Sequence, residues 1–184
     1  IELPNDRLGL FIADVADKGM PAALFMALTR TLVHAAARET SSPAEALRRV
    51  NELLLPDTKQ GMFVTAVYGV LDLNSGEFTY ANAGHNPPLW VRRDSLEKLT
   101  RTGIALGASE DANMSERTIQ LAEGESILLY TDGLTEAFNL EGDMFGEERL
   151  LRAVGWQESA SADDMLRAVE SALDDFAGNA PPSD

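Results

Sequence analysis

The chain has no cysteine, and only two of its 184 residues are histidine, His34 and His85. Disulfides and zinc-thiolate sites are therefore excluded, and an imidazole-based metal site has little to draw on. Basic residues are also scarce: 15 Lys and Arg stand against 30 Asp and Glu, a net charge of −15. A surface that grips nucleic acid or an anionic membrane needs Lys and Arg to neutralise phosphates, so the charge argues against both partners. A cationic partner or a metal suits the chain better, and any metal must be held through oxygen. Long apolar runs are missing too. Uncharged stretches reach about a dozen residues before a charge, Pro or Gly interrupts them, short of the roughly 20 that span a bilayer. No signal-peptide pattern opens the sequence, and no linker, repeat or low-complexity block divides it. The expectation is a cytoplasmic chain forming one domain over residues 1–184, because 45% hydrophobic residues suffice for a core.

What is present alternates between helical and strand patterns. Pro21 is placed for the first turn of a helix over Ala22 to Ala37, apolar on most sides until Arg30 and hence expected to be buried, with Met20 and Met26 as core filling. "SPAE" at Ser42 to Glu45 supplies an N-cap, a proline at the first helical position and a capping-box Glu. Leu47, Val50 and Leu54 then share one face, with Arg48, Arg49 and Glu52 turned away. From Phe63 to Leu73 β-branched and aromatic residues predict a strand, and "NSG" (Asn74 to Gly76) with "EFTYAN" completes a hairpin. "PLWVRR", "LEKL", "ERTIQL" and "SILLY" read as further short strands at hairpin spacing, which implies antiparallel pairing. Helices return at "GEERLLRAV" and "SADDMLRAVESALDDF", where Leu166, Val169, Leu173 and Phe176 share a face. Helices at both ends with strands between suggest an α+β fold with helices packed outside an antiparallel β-sandwich.

Two apolar runs share a peculiarity. Leu8 to Ala13 ends on Asp14, and Ile127 to Tyr130 runs into Asp132 and Gly133. An aspartate at a strand end usually serves the turn by accepting backbone N–H groups. Two such ends brought close would repel unless a cation lay between them, and rigid strand ends are good mounts for ligands. Oxygen-only ligation suits Mg²⁺ or Mn²⁺.

Four ordered motifs carry a resemblance: "DVADKGMPAALFMA" (Asp14 to Ala27), "FVTAVYGVLDLNSGEFTYANAGHNPP" (Phe63 to Pro88), "GIALG" (Gly103 to Gly107) and "LLYTDGLTEAFNLEGDMFGEERL" (Leu128 to Leu150). Together they resemble the bacterial SpoIIE-like serine phosphatases, a branch of the PPM-type metal-dependent protein phosphatases. The resemblance implies an αββα sandwich of two mainly antiparallel sheets flanked by helices, with a binuclear Mn²⁺ or Mg²⁺ centre that activates water for in-line attack on a phosphoserine. By matching positions, Asp14 becomes the bridging carboxylate, the Val15 carbonyl a neighbouring ligand and Asp132 the second carboxylate; Asp14 and Asp132 are thus the catalytic candidates. Absence of cysteine agrees, since a cysteine-dependent phosphatase is impossible here.

The chain departs from that pattern in three places. A G-D-x-x-D motif expected upstream of the first strand is missing. Asp184 matches the metal-binding Asp of a D-D-x-T motif with no strand after it, so an excised fragment, truncated at both ends and weak in metal binding, is expected. "ADKG" (Ala16 to Gly19) replaces S-G-H-G or S-G-K-G, leaving Asp17 to shape a turn or touch a metal-bound water. His85 in "AGHNPP" and His34 read as structural, Lys18 as a solvated turn residue, and Thr131 and Glu136 as groups that could orient Asp132, Glu136 alternatively as an early-helix acid.

The first functional expectation is a metal-dependent serine/threonine phosphatase. The resemblance implies a phosphorylated protein substrate, typically a small anti-sigma-factor antagonist, and a regulatory sensor or receiver domain in the parent chain. It leaves a homodimer open. The alternative is a catalytically incomplete pseudo-phosphatase that binds a partner. A metal-dependent phosphodiesterase is weaker, because the acidic surface repels nucleic acids.

Overall fold

Eight strands and five α-helices are formed among the residues that a computed structural model of the chain describes, 1–58, 61–155 and 161–178. The strands are β1 (Glu2–Leu3), β2 (Arg7–Val15), β3 (Val64–Asp72), β4 (Glu77–Ala83), β5 (Leu89–Val91), β6 (Leu96–Lys98), β7 (Arg117–Gln120) and β8 (Ser126–Leu128). The helices are α1 (Gly19–Glu39), α2 (Pro43–Leu54), α3 (Asp132–Thr135), α4 (Gly146–Val154) and α5 (Ala162–Ala177). They divide into two units, one of Ile1–Pro87 with Thr100–Leu121, the other of Pro88–Leu99 with the chain from Ala122. Each unit has one antiparallel sheet and its own helices, which is the α+β class expected.

The first unit's sheet runs β1-β2-β3-β4-β7. Between β1 and β2, Asn5 (φ 62°) and Asp6 (φ 53°) sit in the left-handed region that these two residue types tolerate. The register then runs from Arg7↔Asp72 to Val15↔Val64 and fixes which residue faces Asp14. At the β3–β4 turn the Asp72 carboxylate accepts the Ser75 and Asn74 N–H groups at 2.8 and 3.0 Å. The hydrogen bonds from Ser75 come first among the causes that hold Asp72 below the usual carboxylate range. Glycine is required at position 69 because the ring of the buried Phe78 lies where its Cβ would stand.

Helix α2 follows its sequence pattern. Leu47, Val50 and Leu54 are fully buried, each removing apolar area worth about 2 kcal/mol from water as an upper estimate. Ser42 Oγ accepts the Glu45 N–H at 3.2 Å, but the reciprocal half of the capping box is absent. The Glu45 carboxylate takes the Thr40 hydroxyl instead, and Glu116 reaches across to Ser42 Oγ and the Ala44 N–H. Helix α1 corrects an expectation. It is long and apolar enough by composition to cross a membrane, yet it packs against β2 and α2 through Phe25, Thr29, Val33, Ala36 and Ala37, while Met20 and Leu24 stay 73% and 65% exposed. Small alanines let one face approach the core closely, while Met20 and Leu24 on the other stay open among the described residues.

In the second unit the sheet runs β6-β5-β8, and Leu89, Tyr130, Phe145, Leu150, Val154, Met165 and Val169 form the core. Met165, rather than Leu166, opens the buried face of α5; Leu166 is 51% exposed. Glu125 organises the β5–β8 pair by accepting from Trp90 Nε1, Arg92 Nε and the Ala122 N–H. Burial alone would raise its pKa, but these donors outweigh burial and hold it below the ordinary value.

Candidate metal centre

Asp14 is the penultimate residue of β2, half-buried, directly opposite Thr65 on β3. Its Oδ1 accepts the Val15 N–H at 2.9 Å, which fixes the carboxylate's rotamer at the strand end. The chain then turns sharply: Asp17 N–H donates to the Val15 carbonyl at 2.8 Å, and Ala16 N–H donates to the Phe63 carbonyl at 2.9 Å. Gly19, at φ 79°, makes the entry into α1 that a residue with a Cβ would resist. Asp17 Oδ1 accepts the Lys18 N–H at 2.8 Å, so Asp17 does shape this turn.

Behind Asp14 lies a polar network that the sequence did not reveal. Thr65 Oγ1 is 2.8 Å from His85 Nδ1 and 3.4 Å from the Asp14 carbonyl oxygen. His85 is 2% exposed, and its backbone N–H donates to Asn82 Oδ1 at 2.8 Å. Its carbonyl accepts from Asn82 Nδ2 and Arg101 Nε. Asn82 is itself fully buried, and its backbone N–H donates to Thr102 Oγ1. The structural reading of His85 therefore agrees with its geometry: it braces the strand on which Thr65 faces Asp14. No local motif announces Thr65 or Asn82, because their roles come from cross-strand register.

Asp132 belongs to the other unit, and its setting differs from the expected strand end. Strand β8 stops at Leu128, and Asp132 is the first residue of the one-turn helix α3, exposed to solvent. Its carbonyl accepts the Glu136 N–H at 2.7 Å and the Thr135 hydroxyl at 3.1 Å. Glu136 closes that turn as its C-cap and is not an early-helix acid, and the Thr131 side chain makes no cap bond. Asp184 lies outside the described residues.

The donors at the first turn fit a hard divalent cation in kind: a carboxylate and a backbone carbonyl, all oxygen. In number they are few, for no three His, Cys, Asp or Glu side chains converge among the described residues. His34 on α1 adds nothing to this set; burial first, then the positive charges of Arg30, the N-terminus and Arg38, push its pKa down.

The family model described as stage II sporulation protein E matches residues 4–184. The chain belongs to this family. It is 27% identical over 171 residues to the phosphoserine phosphatase RsbU of Bacillus subtilis (strain 168), covering 92% of this chain and 51% of that protein. The curated relatives it matches are longer, and the chain spans about half of their length or less. Among solved structures, the RsbU and RsbW domains of a Mycobacterium tuberculosis protein are 31% identical, with TM-score 0.64 over 94% of this chain and 42% of that one. The SiaA-PP2C domain of Pseudomonas aeruginosa superposes with TM-score 0.80 over 98% of this chain and 77% of that one at 20% identity, a likeness of fold.

Proposed function

We propose that this chain is the phosphatase domain of a metal-dependent serine/threonine protein phosphatase that hydrolyses phosphoserine on a signalling protein. One observation carries the reading: a chain that belongs to the family over nearly its whole length fixes Asp14 at the end of a nine-residue strand pairing, braced through Thr65 by buried His85. Phosphoserine phosphatases among its relatives support the substrate class, and an anti-sigma-factor antagonist is the proposed substrate.

By the family resemblance, the Asp14 carboxylate and Val15 carbonyl of one unit, the Asp132 carboxylate of the other and Asp184 are the proposed ligands of Mn²⁺ or Mg²⁺ ions. Such ions, when bound, supply water activation and neutralise the phosphoryl charge. The chain's own contribution is positioning. The β2–β3 register and the Asp14 Oδ1 to Val15 N–H bond orient one carboxylate before any ion arrives, and α3 presents the other to solvent, where a protein-borne phosphate can reach it. Residues 1–184 would form one cytoplasmic phosphatase domain, controlled by a sensor or receiver domain in the parent protein.

A second reading, a partner-binding module without turnover, is favoured by one observation: no three ligating side chains converge among the described residues. Hydrolysis of a phosphoserine peptide with Mn²⁺, with and without chelator, compares this chain with the parent protein. Chelator-sensitive turnover by the parent is expected. Inactivity of both, in folded protein, would leave the binding module.

A further inference from the structure

We infer that Thr65 is a positioning residue whose hydroxyl holds Asp14 in its ion-binding conformation, an inference that rests on the phosphatase reading. Strands β2 and β3 are antiparallel and Asp14 lies directly opposite Thr65, so the two side chains leave the same face of the sheet. Both are half-buried. Thr65 Oγ1 stands 3.4 Å from the Asp14 carbonyl oxygen and 2.8 Å from His85 Nδ1. A hydroxyl has one proton to give and lone pairs to accept with. It serves both neighbours when it donates to the Asp14 carbonyl and accepts from His85 Nδ1, an arrangement that places a proton on Nδ1. The carbonyl contact is long, so what counts is where the hydroxyl is held rather than the energy of that bond.

The hydroxyl is fixed from behind. The His85 N–H donates to Asn82 Oδ1 at 2.8 Å, and the His85 carbonyl accepts from Asn82 Nδ2 at 3.3 Å and Arg101 Nε at 3.1 Å. Gly84, at φ 71°, turns the chain into this position with the Ala105 nitrogen 3.1 Å from where a Cβ would stand, so the backbone before the imidazole is pinned as well. Thr65 is β-branched and stiff about χ1. Asp14 is thus constrained twice, at its main chain by Thr65 and at its carboxylate by the Val15 N–H at 2.9 Å. Strand formation does not ask for a hydroxyl here. Valine has the same shape, suits a strand as well, and stands at Val64, Val67 and Val70 of the same strand. A hydroxyl beside the proposed ligand does what the partners of metal-binding carboxylates do: it keeps the ligand's geometry ready before the ion arrives.

The test uses the full parent protein with Mn²⁺ itself as the probe. Thr65→Val keeps the shape and loses the hydroxyl, and calorimetric titration should show Mn²⁺ binding weakened by on the order of tenfold to a hundredfold. Thr65→Ser, which keeps the hydroxyl, should restore most of that loss. Thr79→Val removes a hydroxyl bonded to Thr118 in the same sheet and should leave Mn²⁺ binding unchanged. With a phosphoserine peptide, Thr65→Val should raise the Mn²⁺ concentration needed for half-maximal turnover and leave the peptide KM at saturating Mn²⁺ as it was. Nitrogen-15 spectra in chelator supply a readout without metal: His85 Nδ1 should carry a proton in the wild type, shift in Thr65→Val and return in Thr65→Ser. Wild-type Mn²⁺ affinity in folded Thr65→Val, even at lowered thermal stability, overturns the inference and leaves Thr65 a partner of His85 alone. So does Thr65→Ser binding as weakly as Thr65→Val, which would assign the effect to the methyl group. An unmoved Nδ1 signal, or a raised peptide KM at unchanged Mn²⁺ affinity, overturns it too. If Thr65→Val fails to fold, Thr65→Ala takes its place under the same criteria. A wild-type parent that binds no Mn²⁺ would instead fail the phosphatase reading itself, and the inference with it.

Discussion

Asp14 and Asp132, the two carboxylates proposed as metal ligands, are held by different backbone devices, one a strand end and the other the first residue of a one-turn helix. Asp14→Asn and Asp132→Asn each retain shape but lose a negative charge. Each should lower chelator-sensitive turnover of the parent by more than about a hundredfold, since even the groups that merely support metal ligands cost ten- to a hundredfold. Calorimetric Mn²⁺ titration should weaken in parallel while thermal unfolding in chelator stays unchanged; turnover retained by Asp14→Asn would remove Asp14 from the site. Two buried polar residues should behave oppositely to each other. Asn82→Ala strips partners from the buried His85 backbone, and a fall of about 1–3 kcal/mol in urea unfolding free energy is expected. The Tyr68 hydroxyl is buried with no hydrogen-bond partner among the described residues, and burial pushes its pKa up. Tyr68→Phe should therefore be neutral or stabilising, because it deletes a desolvated group that repays nothing.

At the scale of elements, α5 shows how local chemistry can set pH dependence. The Asp164 carboxylate accepts from Ser161 Oγ at 2.7 Å, from the Ser161 N–H at 3.1 Å and from Arg167 at 2.9 Å, and its pKa falls from 3.8 to about 2. A carboxyl with a depressed folded pKa stabilises the fold above its unfolded value and loses that contribution as pH falls through the folded one. The α5 cap should therefore weaken between about pH 4 and pH 2. Far-ultraviolet circular dichroism of the wild type and Asp164→Asn should converge by pH 2 and differ at pH 5; a constant difference would contradict the capping box. Helix α1 makes the complementary point: its uncharged run from Gly19 to Thr29 permits burial on every side, but only the face meeting β2 and α2 is buried.

Across the whole molecule, the net charge of −15 opposes an anionic substrate. Screening should relieve that repulsion, since exposed charges interact over only about 8 Å at physiological ionic strength. KM for a phosphoprotein is expected to fall as salt rises from about 0.02 to 0.15 M, while KM for p-nitrophenyl phosphate changes less. A KM that rises with salt would mean that Lys or Arg side chains attract the substrate.

Where periodicity and turn chemistry act within a few residues, they were sufficient by themselves. The α2 pattern, the "NSG" turn, the β3–β4 hairpin and α4 all stand where local sequence places them, because caps, φ preferences and alternation are properties of neighbours in the chain. The absence of cysteine and the scarcity of histidine likewise limited any metal to oxygen donors before a fold was known. Tertiary structure decided the rest. Register alone placed Thr65 opposite Asp14 and brought His85 and Asn82 behind it. It also ended β8 early, left Met20 in water where a core residue was expected, and turned Phe138 and Met144 outward together. Those outcomes depend on which distant segment lies alongside, and no window of neighbouring residues contains that information.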